Sequence, residues 1–141
     1  MIQSADAIER SVQKTNEWLK ELTDELGFDR DHAWRMLRSY LQVLRDRLNT
    51  DEAAQLAAQL PLVVRGAFYE GFAPSRQPVK LRSREEFISQ LAERAQPLDR
   101  ETAERSADAI TSLLERHITE GELDDVFSQM PKELREALQH H

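Results

Sequence analysis

The sequence predicts an all-α protein in which eight helices form two pseudo-symmetric four-helix repeats packed as one domain, residues 1–141. Three observations carry this prediction. Ala, Leu, Glu, Arg and Gln dominate, whereas Gly contributes only 4 of the 141 residues, a composition typical of helices. Apolar residues recur at spacings of three and four, which is the helical period. The second half of the chain also repeats the pattern of the first.

Two long helices are predicted first. One runs from about Ser4 to Leu26 and ends at Gly27, which can adopt the left-handed conformation that terminates helices. The other covers residues 30–48 and starts after Asp29, whose carboxylate can accept a hydrogen bond from the first turn. The apolar stripe of the first helix, expected to face the core, is Ile8, Val12, Leu19, Leu22 and Leu26.

Two short helices are predicted next. Asn49 and Glu52 have the spacing of a capping box, in which each side chain bonds the backbone N–H of the other residue. Pro61 starts the fourth helix, since proline is favoured at the first helical position. This helix is apolar on two faces through Leu62–Val64, so we expect it in the middle of the molecule. The last predicted helix instead starts with Lys132–Glu133 and should lie at the periphery.

A loop is predicted to separate the two halves. Residues 71–82 contain two Pro and a Gly and should cross the surface as a linker. Helix starts then recur, because Met130–Pro131 breaks the chain before the last helix as Leu60–Pro61 does before the fourth. The predicted N-caps of the second half are Ser83, Asp99 and Thr119, with Glu86 and Glu122 completing two capping boxes.

The two halves match residue by residue. A shift of 70 positions carries Asp31–Phe68 onto Glu101–Leu138 without a gap. Shared helical composition does not explain a coincident Pro, Gln and capping box, so we infer a duplication with repeats 4–70 and 83–139. Identical pairs include Ala33/Ala103, Arg35/Arg105, Leu44/Leu114, Glu52/Glu122, Gln59/Gln129, Pro61/Pro131 and Arg65/Arg135. The predicted core comprises Trp18, Trp34, Leu37, Leu44, Leu56, Leu60, Val64, Phe87, Ile110, Leu114 and Phe127.

Charge and composition narrow the possible functions. The net charge of −7 argues against a protein that coats DNA. The absence of Cys removes disulfides and thiolate metal sites and fits a reducing compartment. The longest apolar stretch, Leu60–Val64, is far shorter than the ~20 residues that a membrane span needs. We therefore expect a cytoplasmic protein with no membrane contact.

No pattern of catalytic or metal-binding residues stands out. His32 and His117 each lack a His four residues away, so both are expected to be structural or solvated. The acidic run from Glu120 to Asp125 lacks the alternating ligand spacing of a calcium loop, and acids in a first helical turn favour the helix dipole. No nucleophile elbow or phosphate loop is present. We expect no enzyme activity, no catalytic residue, no metal ligand and no cofactor.

One segment departs from the repeat. Residues 65–82 combine aromatic and cationic side chains with Gly and Pro, and the second half ends before any counterpart of the loop. A segment that occurs once in a duplicated chain is either a linker or a site. In the site interpretation, aromatic residues anchor a partner and basic residues meet its acidic groups. The residues of this candidate interaction segment are Arg65, Tyr69, Glu70, Phe72, Arg76, Lys80 and Arg82.

Several motifs in order resemble a known family. Thr15–Leu19, Leu44–Leu48, Ala57–Pro61 and Arg65–Gly71 are similar to the bacterial family catalogued as domain of unknown function 2267, over nearly the whole chain. The resemblance implies a small, all-helical, duplicated protein, and it supplies no catalytic residue. Phe72 stands where the resemblance leads us to expect Trp.

Three functional hypotheses remain. The leading one is a non-enzymatic helical module that binds a protein partner or a second copy of itself. The second is a bundle that binds a small ligand in a groove between the two repeats, where pockets in helical bundles form. The third is an enzyme that uses scattered carboxylates, although no pair of them stands out in the sequence. An association with nucleic acid is less favoured, and it is supported only by the basic residues of the linker region and the repeated helix–turn–helix outline.

Overall fold

The computed structural model describes residues 5–76, 83–95 and 98–139. These residues form eight α-helices and one 3-10 turn at Pro74–Arg76, with no β-strand among them. The predicted all-α class is thereby confirmed. The helices are α1 (Ala5–Leu26), α2 (Arg30–Asp46), α3 (Thr50–Ala57), α4 (Leu62–Tyr69), α5 (Arg84–Arg94), α6 (Arg100–His117), α7 (Glu120–Ser128) and α8 (Lys132–Gln139).

The helix starts follow the capping residues seen in the sequence. In each of five helices, the N-cap side chain accepts a hydrogen bond from the backbone N–H three residues further on. Gly27 ends α1 with a φ of 76°, as expected for a left-handed C-terminal residue. The second helix ends at Asp46, two residues earlier than the predicted Leu48. The five confirmed caps are Asp29, Asn49, Ser83, Asp99 and Thr119.

The core lies around α2 and α6. α2 packs on α1, α4, α5 and α6, while α6 packs on α1, α5, α7 and α8. The pairings among α1, α2 and α4 recur among α5, α6 and α8. Inside the core, the hydroxyl groups of Tyr40 and Thr111 share a hydrogen bond of 2.7 Å. This bond lets two polar side chains lie in an apolar interior.

Most predicted core residues are buried, and Trp34 is the exception. Its ring is half-buried against the edge of the core, whereas the other predicted core side chains are buried. A Trp side chain is large enough to be packed on one side and exposed on the other.

The predicted positions of the apolar residues on α1 and α4 are partly wrong. Ile8 and Val12 are 60% and 44% exposed, although both belong to the predicted core stripe of α1. Leu62 and Val63 are 46% and 40% exposed, so α4 is not buried in the middle of the molecule. The reason is geometric, because a helix of 8 residues that packs on α1 and α2 turns only one side inward. Both α4 and α8 lie at the surface.

Candidate functional site

The exposed large apolar side chains are concentrated on two helices. In the described part of the chain all five lie on α1 or α4, which pack against each other. On α4 they occupy one side at helical spacing, with the exposed Gly66 between them. We call this surface the α1–α4 face, and it consists of Ile8, Val12, Leu62, Val63, Gly66 and Tyr69.

A groove of about 310 Å³ borders this face. Leu19, Trp34 and Val63 supply its apolar walls, so Trp34, predicted to be core, lines the groove instead. Arg30 and Asp31 also line the groove, and the Arg30 guanidinium donates to the amide oxygen of Asn16. The groove therefore extends the apolar surface inward and offers both signs of charge nearby.

A buried arginine fixes the end of α4. Arg45 is 2% exposed and donates to the backbone oxygens of Phe68 and Glu70 at 2.8 and 2.7 Å. Its guanidinium also pairs with Asp46 at 2.8 Å and lies 5.5 Å from the centre of the Phe72 ring. Charge-assisted bonds to carbonyls at a helix C-terminus satisfy acceptors that the helix itself leaves free. Arg45 thus holds the start of the linker against the core.

Sequence reasoning did not identify Arg45. It lies within Leu44–Leu48, one of the motifs that resemble the family, but the motif by itself predicts neither the burial of Arg45 nor its bonds to α4. A usable signal is present in the sequence, because the position 70 residues later holds Glu115 and the match between the two halves is broken there. An arginine at only one of two positions that the sequence match pairs indicates a role particular to its half.

The candidate interaction segment separates into inward and outward residues. Arg65 turns towards α3, where its guanidinium donates to the backbone oxygens of Ala57 and Leu60 at 2.8 and 3.1 Å. Phe72 is half-buried against the core, and its ring centre lies 5.7 Å from that of Tyr69. Tyr69, Glu70 and Arg76 are exposed, while Lys80 and Arg82 lie outside the described residues. The segment is therefore only in part an outward surface.

The N-terminal turns of α3 and α7 meet at a polar cluster. The backbone N–H of Asn49 donates to Gln129 Oε1 at 3.0 Å, and that of Thr119 donates to Gln59 Oε1 at 2.9 Å. In a complete capping box the glutamate side chain would accept from these N–H groups. Here the N-cap side chains of Asn49 and Thr119 bond the glutamate N–H groups, but the glutamate side chains do not bond back. Sequence reasoning matched the two glutamines but assigned them no role. The structure makes them reciprocal caps.

The two glutamates of the predicted capping boxes, Glu52 and Glu122, lie close to each other. Glu52 and Glu122 are each 8% exposed, and together with Asp125 they bring one carboxylate oxygen apiece within 4.8 Å of one another. Burial is the largest of the causes that together raise the pKa of Glu122 to about 8; the others are the hydrogen bond to Glu52 and the charges of Glu52 and Asp125. One proton is therefore held by this pair at neutral pH.

His117 takes part in a contact between α1 and α6. Its Nε2 lies 2.7 Å from Glu21, which also accepts from Arg116 at 2.9 Å, and its ring packs against Trp18 at 5.1 Å. Burial alone would raise the pKa of Glu21, but hydrogen bonds from His117 and Arg116 outweigh it and lower that pKa. These contacts join the two halves of the chain.

A second cleft, of about 250 Å³, lies between α1 and α6. This is the kind of position at which the small-ligand hypothesis requires a groove. Three of its lining side chains are charged, namely Glu25, Arg105 and Asp108, and Arg105 donates to the backbone oxygen of Leu26 at 3.2 Å.

The fold and this face define an all-helical protein with an uncovered apolar surface. Residues 15–137 match the family described as "Uncharacterized conserved protein (DUF2267)", and the chain belongs to that family. The resemblance seen in the sequence motifs is thereby confirmed. A comparison with curated proteins gives no match. Among the described helices, none combines the length and the apolar character that crossing a bilayer requires.

Proposed function

We propose that the protein is a non-enzymatic helical interaction module and that its α1–α4 face binds a second copy of the chain. The observation that carries the proposal is the confinement of all five exposed large apolar side chains of the described residues to α1 and α4. Apolar patches that remain in water are the usual marks of protein interfaces. A matching patch on a second copy would remove both from water.

The absence of charge on the α4 part of the face makes it the place where two copies can meet. The chain carries a net charge of −7, so two copies repel each other over most of their surface. On α4, the face consists of Leu62, Val63, Gly66 and Tyr69, and none of these residues is charged. Two such faces meet without opposing like charges.

The stripe on α4 is also close to self-complementary. Leu62 and Val63 lie four and three residues before Gly66, and Tyr69 lies three residues after it. In an antiparallel pair of α4 helices crossing at Gly66, the apolar ends of one stripe meet the opposite ends of the other. Gly66 has open space beyond its Cα, so two backbones can approach closely there. An interface of this kind is isologous and closes as a dimer.

We further propose that the chain is an internal duplication in which α8 corresponds to α4. The sequence match at a shift of 70 positions, the recurring helix pairings and the reciprocal glutamine caps support this. In this view each chain has one interaction face, because the outer side of α8 is polar. We also propose a cytoplasmic location, which the absence of Cys supports.

The test exchanges the outer side of α4 for that of α8. The variant Leu62→Lys, Val63→Glu, Gly66→Glu, Tyr69→Gln changes only exposed positions and places on α4 the residues found at 132, 133, 136 and 139. The mass in solution is measured by light scattering and sedimentation, and folding by circular dichroism. We expect the wild type to be a dimer and the variant to be a folded monomer.

The reverse exchange supplies the matched control. Lys132→Leu, Glu133→Val, Glu136→Gly and Gln139→Tyr give α8 an apolar outer side, so each chain should present two faces and form open-ended assemblies. A wild type that stays monomeric at its highest soluble concentration contradicts the proposal. So does a folded exchange variant that dimerises as the wild type does.

A further inference from the structure

The carboxylate cluster between α3 and α7 lies apart from the α1–α4 face. Glu52 belongs to the first turn of α3 and Glu122 to the first turn of α7, and these two helices pack against each other. Asp125 is three residues beyond Glu122, on the same side of α7, and is exposed. The cluster is thus formed by two buried carboxylates and one at the surface.

The two buried glutamates do not bond the backbone N–H groups of their predicted capping boxes. The N–H groups of Asn49 and Thr119, which a capping-box glutamate would bond, are taken by Gln129 and Gln59. Glu52 Oε1 is 3.5 Å from Gln129 Nε2, a long contact. The other oxygen of each carboxylate, Oε2 of Glu52 and of Glu122, is buried with no hydrogen-bond partner among the described residues. Buried polar atoms in native proteins are normally satisfied, by protein, by water or by an ion.

We propose that Glu52, Glu122 and Asp125 bind a divalent cation that prefers oxygen ligands, in the class of Ca²⁺, Mg²⁺ and Mn²⁺. Carboxylate oxygens are the ligands these ions favour. Oxygens on opposite sides of a Ca²⁺ ion are about 4.8 Å apart, given Ca–O distances of about 2.4 Å. The three ligand oxygens lie within 4.8 Å of one another, so one ion can reach all of them. The exposed Asp125 provides the path of entry, and water completes the coordination.

A proton competes with the ion for this site. The raised pKa of Glu122, about 8, means that the pair holds a proton near neutral pH when no ion is bound. A cation needs both carboxylates ionised, so its binding releases that proton. Binding should therefore tighten as the pH rises towards about 8 and weaken as it falls. Ion binding elsewhere on the acidic surface would not release this proton.

The experiment titrates CaCl₂, MgCl₂ and MnCl₂ separately into chelator-treated protein by calorimetry. Each titration is run near neutral pH in two buffers of different ionisation enthalpy. We expect at least one ion to bind at one site per chain, with an apparent enthalpy that changes between buffers because a proton is released. The same ion should raise the Tm, since it binds the folded state.

Three variants locate the site. Glu122→Gln keeps the shape of the side chain and removes its charge, and Asp125→Asn alters only an exposed residue, so both should fold and lose ion binding. Asp124→Asn removes the same charge from the neighbouring exposed position outside the cluster and should bind as the wild type does. The proposal is overturned if no ion binds at any pH up to about 9, which leaves a proton-sharing pair. It is also overturned if Glu122→Gln binds as tightly as the wild type.

Discussion

Helices α4 and α8 show how one framework can carry two different surfaces. Both have 8 residues and both follow a proline. Their inward positions are filled alike, by Val64 and Phe68 in α4 and by Leu134 and Leu138 in α8. Their outward positions differ completely, with Leu62, Val63, Gly66 and Tyr69 in α4 against Lys132, Glu133, Glu136 and Gln139 in α8. Packing against the core determines the residues on the buried sides. It does not determine the exposed residues, so the difference between the outer sides indicates a difference in function.

The attachment of the two helices differs as well. The end of α4 is held by the buried Arg45, whereas the corresponding position in α6 is the exposed Glu115. The half with the apolar outer side is therefore also the half with the additional clamp. A surface that presents apolar groups to a partner benefits from a backbone fixed in advance, because less entropy is lost on binding.

The largest expected effect comes from removing this clamp. Arg45→Met keeps most of the side-chain volume but loses the charged hydrogen bonds to Phe68 and Glu70, so unfolding should become easier by about 2–4 kcal/mol. The carbonyls left without a donor and the loosened Phe72 ring account for the loss. The measurement is denaturant unfolding followed by circular dichroism.

Glu115→Gln is the matched control for this comparison. It changes the corresponding exposed residue of the other half and should alter the free energy of unfolding by less than about 1 kcal/mol. Equal losses for the two variants would mean that Arg45 holds α4 no more firmly than Glu115 holds α8, and the difference drawn between the halves would be wrong.

Much of the fold is predictable because its determinants are local. Each N-cap acts within one turn of its own helix, so Asp29, Asn49, Ser83, Asp99 and Thr119 could be recognised by spacing alone. The proline before α4 and the glycine after α1 act in the same local way. These signals do not depend on how the helices pack.

The candidate sites depend on packing and were largely missed. An apolar run such as Leu62–Val64 indicates that burial of these side chains is favourable. The sequence does not show whether they are buried by the same chain or by a partner. Likewise, Gln59 and Gln129 look like ordinary surface residues until α3 and α7 meet. Of the predicted segment, Tyr69 belongs to the apolar face, whereas Arg65 and Phe72 stabilise the fold. Tertiary contacts decide such roles.

A smaller effect is expected where equivalent residues of the two halves meet. The pKa of Glu122 rises from its ordinary 4.5 to about 8 in the folded protein, chiefly through burial. A raised pKa in the folded state gives stability that is complete below pH 4.5 and is lost as the pH rises to about 8. In cation-free buffer the wild type should therefore become less stable across this range.

Glu122→Gln should remove most of this pH dependence. Above pH 8 the wild type holds two adjacent buried charges, whereas the variant offers Glu52 a hydrogen-bond donor, so the variant should be more stable there by about 1–3 kcal/mol. Thermal melts from pH 4.5 to 9 compare the two proteins, with Asp124→Asn as the control. Parallel pH profiles for wild type and Glu122→Gln would show that Glu52 and Glu122 do not share a proton.

The smallest expected change separates folding from binding at α4. Gly66 is an exposed residue inside a helix, and a Cβ added there meets nothing within 4 Å. Gly66→Ala should therefore stabilise the isolated chain by about 0.5–1 kcal/mol, because Ala loses less backbone entropy in a helix. At the crossing point of two α4 helices, however, the added methyl groups hold the backbones apart. At concentrations low enough for both proteins to be monomeric, the variant should thus melt at a higher temperature than the wild type. At higher concentrations its dimer should dissociate more readily in sedimentation equilibrium.

Glu136→Ala in α8 is the matched change outside any interface and should leave the dimer unaffected. If Gly66→Ala raises the Tm without weakening the dimer, Gly66 does not lie at the crossing point and this prediction is wrong. If one added methyl group makes the folded chain more stable and the dimer weaker, then Gly66 serves contact with a partner and not the folding of α4.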